Sequence, residues 1–238
     1  MRFKALAVDY DDTLALDSTV APETASALER LRASGRRLFL VTGRELDDLK
    51  RVFPGCPVFD AIVAENGGVL YEPSGGKVRL LHKPPPQKFV DELRAREITP
   101  LSLGQVIVAT REPNEDVVLK VIKQFGLELK IVFNKGAVMV LPVGVNKASG
   151  LAVALQDAGL SFETCIGIGD AENDHAFIER CRYGVAVANA LDSLKDQADY
   201  VTRLANGAGV AEVIELVLAD ELPVSPPSGR PIMEQTKQ

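Results

Sequence analysis

The chain has 238 residues, 46% of them hydrophobic and 25% charged, with a net charge of -6. That is an ordinary globular composition with enough chain for one or two domains, and its acidic balance, with no cluster of Lys and Arg, argues against a nucleic-acid surface and suits a divalent cation better. No run approaches the roughly 18 apolar residues of a membrane span, the apolar stretch in MRFKALAVDY is too short for a secretion signal, and Cys56, Cys165 and Cys181 lack the spacing of a zinc site or disulfide framework, so buried reduced thiols in a cytoplasmic protein are expected.

Short β-rich runs alternate with helical segments, the mark of βα units and a parallel sheet. Phe3 to Val8 reads as the first strand. Pro22 to Ser34 follows as a helix, with Ala25, Leu28 and Leu31 at helical spacing and Gly35 closing it. Arg37 to Val41 predicts a second strand and Ala61 to Ala64 a third, which passes through the turn signal Asn66-Gly67-Gly68 into Val69 to Tyr71 as a hairpin. Pro84 to Pro86 mark a stiff boundary.

Beyond it, a helix (Gln87 to Arg96), a strand (Val106 to Thr110), a helix (Pro113 to Phe125) and strands at Leu127 to Phe133 and Ala137 to Leu141 predict an α+β insert. The parallel rhythm then resumes with a helix at Lys147 to Ala158, a strand at Thr164 to Ile168, a helix at Glu172 to Arg180, a strand at Gly184 to Ala188 and a last helix near Val210 to Leu218. The expected architecture is α/β: a Rossmann-like parallel-sheet core with helices on both faces, formed by residues 1–83 and 146–221, plus a small α+β cap domain at 84–145. From Leu222 the proline-rich end predicts a disordered tail or linker.

In open parallel sheets, ligands bind beyond the carboxyl ends of the strands. Asp9, Asp11 and Asp12 follow the first strand, Thr42-Gly43-Arg44 the second, and Gly169-Asp170-Ala171-Glu172-Asn173-Asp174 the strand ending at Ile168, while Lys147 opens the helix after the insert. Several carboxylates in one crevice repel one another, so either a bound metal or raised pKa values must accompany them. Oxygen donors without His or Cys favour magnesium. The two histidines, His82 and His175, offer no zinc or triad chemistry.

This set resembles the haloacid dehalogenase superfamily of phosphatases. Its Asp-x-Asp-x-Thr motif matches Asp9 to Thr13, its strand-ending Thr matches Thr42, its Lys matches Lys147 and its Gly-Asp-x-x-x-Asp matches Gly169 to Asp174. The position of the insert, after the third core strand and before the lysine, is similar to the type 2 cap of the sugar-phosphatase branch. Asp12 stands where that branch usually has Gly, and the insert is short, nearer to small archaeal phosphoglycolate phosphatases. The resemblance implies Asp9 as nucleophile forming an aspartyl-phosphate, Asp11 as proton shuttle, Thr42, Gly43 and Lys147 on the phosphoryl oxygens, and Mg2+ held by Asp9, the Asp11 carbonyl, Asp170 and Asp174. The implied substrate is a small phosphorylated metabolite, a sugar phosphate or phosphoglycolate, with no nucleic-acid or membrane partner. A phosphosugar mutase and a phosphate-sensing or assembly module remain the alternatives, and Arg111, Lys120, Lys123, Lys130 and Lys135 are the candidate cap cations. The sequence leaves the oligomeric state open.

Overall fold

The protein is described by a computed structural model covering residues 2–223. The twelve strands are β1 (Ala5–Val8), β2 (Arg37–Val41), β3 (Ala61–Ala64), β4 (Val69–Glu72), β5 (Lys77–Leu80), β6 (Ser102–Leu103), β7 (Val108–Arg111), β8 (Leu129–Asn134), β9 (Ala137–Pro142), β10 (Cys165–Gly169), β11 (Tyr183–Ala186) and β12 (Tyr200–Val201). The helices are α1 (Pro22–Ala33), α2 (Leu46–Val52), α3 (Gln87–Ala95), α4 (Glu115–Gln124), α5 (Lys147–Asp157), α6 (His175–Ile178), α7 (Asp192–Lys195) and α8 (Asn206–Ala219).

The main sheet runs β12-β11-β10-β1-β2-β3-β4-β5. It is parallel from β12 to β3 and antiparallel from β3 to β5. From β1 the chain builds outward to one side through β2 and β3, then returns to the other side at β10, so the strand order reverses between β1 and β10. A crevice opens at that reversal, beyond the strand ends. Every residue of β1, β3, β10 and β11 is buried, as required of strands covered on both faces. The covering comes from helix pairs, α1 packed on α8 and α5 packed on α6.

The segment between β5 and α5 forms a second, antiparallel sheet in the order β6-β7-β9-β8. On one of its faces, Val108 and Val140 pack with Phe89, Val90 and Leu93 of α3 and Val118, Val121 and Ile122 of α4. The period-two alternation sends Ile107, Met139 and Leu141 to the opposite face, where they form a separate cluster with Val145. That face is turned to the core: Asn66 at the end of β3 donates to Met139 Sδ (3.0 Å), and Val106 belongs to the main core cluster.

Several elements differ from the sequence expectation. β1 starts at Ala5, β4 is followed by an exposed edge strand β5, and α2, α7, β6 and β12 join the expected elements. The predicted helix at Glu172 to Arg180 is a 3-10 turn at Glu172–Asp174 followed by the single turn α6, because the Asp174 side chain caps the preceding loop instead of facing outward. The expected hairpin is present, β3 pairing antiparallel with β4, and a 3-10 turn at Glu65–Gly67 joins them. Leu222, the expected first residue of the tail, is buried in the main core, and the rest of the expected tail, 224–238, lies outside the described residues. All three cysteines are buried and free. Among the described residues, no helix is long and apolar enough to cross a membrane.

Candidate active site

Asp9 leaves β1 at the strand reversal, its N–H donating to the Ile168 carbonyl of β10 (2.9 Å), so backbone pairing fixes its position next to the Gly169–Asp174 loop. Its side chain is buried and receives a hydrogen bond from Lys147 Nζ (2.5 Å), which also reaches Asp174 Oδ1. Lys147 is the first residue of α5. A reciprocal cap builds that helix start: Asn146 Oδ1 accepts from the Ser149 N–H (2.8 Å), and Ser149 Oγ accepts from the Asn146 N–H (3.0 Å). The start can lie this deep because two glycines meet there. A Cβ at Gly150 would stand 2.6 Å from Gly67 Cα, and one at Gly67, whose φ is +102°, would stand 2.0 Å from the Asn146 carbonyl oxygen.

In the loop after β10, Asp174 Oδ2 accepts from the N–H groups of Asp170 (2.9 Å) and Ala171 (3.0 Å). Both of its oxygens are therefore occupied, one shaping the loop and one holding Lys147. Asp170 is oriented by Thr13, whose hydroxyl donates to Oδ1 (2.7 Å). Its Oδ2 accepts from Lys135 Nζ (2.7 Å), which arrives from the β8–β9 turn of the second sheet and also binds Asp12 Oδ2 (2.6 Å). Asp12 has a left-handed backbone, φ +59°, and its carbonyl is held by the side-chain amides of Asn189 (2.7 Å) and Asn206 (2.8 Å).

The Asp11 side chain pairs with a residue that follows β2. Its carboxylate takes a forked contact from Arg44, Nη2 at 2.6 Å and Nε at 2.8 Å, and Arg44 Nη1 continues to Asp48 (2.6 Å). Thr42 is fully buried, and its Oγ1 accepts from the Arg44 N–H (3.1 Å). Gly43 lies under two amides; a Cβ there would be 3.4 Å from the Asn66 side chain and 3.5 Å from Asn173 Nδ2. Asn173 donates to Asn66 Oδ1 (3.0 Å), and its own Oδ1 is buried without a partner. Beside them Glu65, buried and at φ +52°, accepts from the N–H groups of Gln105 (3.0 Å), Val106 (2.7 Å) and Ile107 (2.9 Å), tying the start of the second sheet to the end of β3.

Burial dominates the electrostatics. It raises the pKa of Asp9 well above the ordinary carboxylate range, assisted by the Asp174 charge and opposed by Lys147. Asp170 is raised by burial and by Asp174, against the pull of Lys135 and Thr13. Burial disfavours the charge on Lys147, but Asp174 and Asp9 outweigh it and keep the ammonium charged. Leaving aside Asp48, which Arg51 also holds, five carboxylates (Asp9, Asp11, Asp12, Asp170, Asp174) meet three cations (Arg44, Lys135, Lys147). Counted as formal charges, two negative charges are in excess, and a divalent cation would both cancel them and favour the ionised form of Asp9 and Asp170. Carboxylate oxygens of Asp9, Asp170 and Asp174 lie within 4.8 Å of one another, an all-oxygen donor set that fits a hard cation such as magnesium. Hydrogen bonds occupy both oxygens of Asp170 and of Asp174 but only one of Asp9, so a cation would share Asp170 with Thr13 and Lys135 and Asp174 with the loop N–H groups and Lys147.

The structure thus gathers Asp9, Lys147, Asp170 and Asp174 into one buried cluster, sets Thr42 and Gly43 at the neighbouring strand end, and turns the Asp11 side chain toward Arg44. Arg44, which follows the second strand, holds Asp11, and Thr13, the last residue of the Asp-x-Asp-x-Thr motif, orients Asp170. Glu65, Asn189 and Asn206 were not singled out. For Glu65, an acidic residue wedged between the apolar strand AIVA and an Asn-Gly turn was the available signal.

The profile of haloacid dehalogenase-like hydrolases matches residues 6–98 and 92–214. The chain is 33% identical over 222 residues to a phosphoglycolate phosphatase of Methanothermobacter thermautotrophicus, covering 89% of this chain and 97% of the relative. It is 28% identical to one of Methanosarcina acetivorans, covering 91% and 97%. A haloacid dehalogenase-like hydrolase from Bacteroides thetaiotaomicron superposes with a TM-score of 0.74 at 21% identity, covering 90% of this chain and 99% of that one. One from Bacillus subtilis gives 0.74 at 18%, with the same coverage of 90% and 99%. With the motif residues converging at the strand reversal and the profile spanning nearly the whole described chain, the chain belongs to the haloacid dehalogenase-like hydrolases, as an enzyme of their Cof-like phosphatase branch.

Proposed function

We propose that the protein is a magnesium-dependent phosphatase of a small phosphomonoester, working through an aspartyl-phosphate on Asp9 in the cytoplasm, with residues 1–83 and 146–221 as its catalytic core and 84–145 as a cap. The observation that carries this reading is the Asp9–Lys147–Asp174 triplet, buried at the strand reversal with Asp170 beside it. Lys147 against the Asp9 carboxylate opposes the effect of burial and favours the ionised form, the form that attacks phosphorus.

An Asp9 oxygen attacks the phosphorus, the P–O bond to the alcohol breaks, and the leaving oxygen takes a proton from Asp11. Asp11 then accepts a proton from the water that attacks the phosphorus of the intermediate, releasing inorganic phosphate and restoring Asp9. To do this Asp11 has to exchange its Arg44 partner for the substrate and carry a proton when the P–O bond breaks. Lys147, the Thr42 hydroxyl and the Gly43 N–H bind the phosphoryl oxygens, each such contact being worth about 3 kcal/mol at the transition state. Asp9, the Asp11 carbonyl and Asp170 would hold the metal, with Asp174 orienting the loop; its charge offsets the repulsion between an anionic nucleophile and an anionic ester.

The test is phosphate release from a panel of phosphomonoesters with and without magnesium, by wild type and Asp9→Asn. Release is expected only with the metal and the intact aspartate, while the variant keeps a cooperative denaturation curve. Turnover by Asp9→Asn would refute the assignment, and a requirement for a bisphosphate activator would point to a mutase.

A further inference from the structure

Of the five cations expected in the second sheet, one is joined to the acidic cluster. Lys120 and Lys123 lie on α4, on the sheet face away from the core, Lys130 lies within β8, and Arg111, exposed at the end of β7, has no ion pair among the described residues. Lys135, in the β8–β9 turn, divides its ammonium between Asp170 Oδ2 (2.7 Å) and Asp12 Oδ2 (2.6 Å). These two acceptors are not equivalent. Asp170 belongs to the trio of carboxylates suited to a hard cation and its side chain is 2% exposed, whereas Asp12 lies outside that trio and its side chain is 42% exposed.

Both oxygens of Asp170 are in use, Oδ1 by the Thr13 hydroxyl and Oδ2 by the ammonium. A metal ion bound by this carboxylate tolerates a neutral hydroxyl on it, but the ammonium would face that ion across one small group, and in a buried crevice the repulsion of like charges is weakly screened. The other two cations of the site cannot relieve such a conflict. Lys147 also touches the trio, but it is 1% exposed and both its partners are members, so it has no other acceptor to move to. Arg44 pairs with Asp11 and Asp48, outside the trio. Lys135 does have an alternative: its side chain is 42% exposed, Asp12 stays within reach, and water can accept the freed N–H. The move asks nothing of the backbone. β8 and β9 pair from Leu129↔Pro142 to Asn134↔Ala137, Lys135 and Gly136 have φ of +47° and +79° as a two-residue hairpin turn requires, and the Glu112 N–H donates to the Gly136 carbonyl (3.1 Å), so the turn is fixed independently of the ammonium's partners.

We infer that Lys135 and a divalent cation compete for Asp170, the ammonium ceding that carboxylate as the metal binds and keeping Asp12. The inference rests on the metal site of the proposed phosphatase and on no property of its ester. By linkage, whatever factor Lys135 takes from the affinity of the metal, the metal takes from the hold of Lys135 on the crevice. The second sheet thereby tunes how readily the core loads its cation.

The experiment titrates chelator-treated protein with Mn2+, reading the electron paramagnetic resonance of the free ion, and repeats the titration with Mg2+ as competitor. Lys135→Met should bind both ions about 5- to 30-fold more tightly than wild type, the lower part of the usual coupling range because the ammonium is half in solvent. Lys135→Arg, which keeps the charge, should bind them no more tightly than wild type. Arg111→Met removes a cation from the same end of the second sheet, where Arg111 pairs with Ala137, without touching the cluster; it should change the affinity by about twofold at most. Amine labelling with acetic anhydride, read by mass spectrometry, supplies the reciprocal arm. Saturating Mg2+ should speed the labelling of Lys135 in wild type by up to the same factor, while Lys120 reacts equally fast with and without it. An unchanged affinity in Lys135→Met, an equal gain in Arg111→Met, or Lys135 labelling that Mg2+ fails to speed overturns the inference while leaving the phosphatase reading standing. Mn2+ bound equally well by wild type and Asp170→Asn, or bound by neither wild type nor Lys135→Met, overturns the proposed metal site itself, and the inference with it.

Discussion

Replacing Glu65 by alanine should both destabilise the protein and loosen the second sheet over the site. The carboxylate is buried and accepts three backbone N–H groups in a row, those of Gln105, Val106 and Ile107, at 2.7 to 3.0 Å. Each hydrogen bond to a charged acceptor contributes about 1.5 to 3 kcal/mol, but the three share one carboxylate and water refills part of the space, so their losses do not add. The expected cost is about 3 kcal/mol, which lowers Tm by about 6 to 12 °C in a chain of this size. Glu65→Gln keeps the shape and one acceptor oxygen while turning an NH2 group toward a backbone donor, and should cost about half as much. Denaturation followed by circular dichroism gives the stability, and hydrogen exchange at residues 105–107 gives the local answer. Those amides should exchange faster in Glu65→Ala than in wild type by a larger factor than amides of β1 and β10. Unchanged protection at 105–107, or a stability loss under about 0.5 kcal/mol, would refute the claim that this carboxylate pins the second sheet.

Two further outcomes follow from the packing and charge of the site. Because burial raises Asp9 and Asp170 above their ordinary value of 3.8, the folded protein binds these protons more tightly than the unfolded chain, so their contribution to metal-free stability is greatest at low pH and falls as pH rises above that value. The Tm gained on adding excess magnesium should therefore grow between about pH 5 and about pH 8; a gain that stays flat across that window would place the cation elsewhere. Gly150→Ala, with its Cβ 2.5 Å from Val63 Cγ1 and 2.6 Å from Gly67 Cα, should cost about 2 kcal/mol of overpacking in spite of alanine's better helix propensity, and should depress kcat by displacing Lys147. Equal stability and kcat would show that α5 can shift without disturbing the site.

The parts of the site that the sequence displayed are those that sit at strand ends. Asp9, Thr42 and Asp170 each follow an apolar run of β-formers, and a parallel sheet sends all such residues to one edge. Lys147 was legible through its helix start, with Asn146 and Ser149 in capping positions. What stayed hidden depends on contacts between distant segments. Nothing near Arg44 in the chain indicates that it will hold Asp11, and Lys135 reads as one of several cap cations until the register of β8 on β9 puts it at a turn. β5, β6 and β12 were missed because edge strands are short or solvent-exposed and lack the apolar runs that signal a central strand. The helix expected at Glu172 to Arg180 illustrates the opposite error: acidic residues at a helix start look like favourable dipole partners, whereas here Asp174 spends its oxygens on the loop N–H groups and on Lys147.

The three countercharges of the acidic crevice come from three separate parts of the chain: Arg44 after β2, Lys147 at the start of α5, and Lys135 on the second sheet. The first two are fixed by the core's own backbone. The third comes from the second sheet, and its removal would leave Asp12 and Asp170 facing the other carboxylates with one cation fewer. In a buried site that repulsion is weakly screened, so the acidic cluster itself pulls the hairpin tip inward. A divalent cation held by Asp170 would supply part of the same countercharge and so would weaken that pull. Lys135→Met should therefore loosen the β8–β9 turn more in metal-free protein than with excess magnesium, read as faster hydrogen exchange at residues 133–137; equal exchange in the variant and wild type would refute the pull.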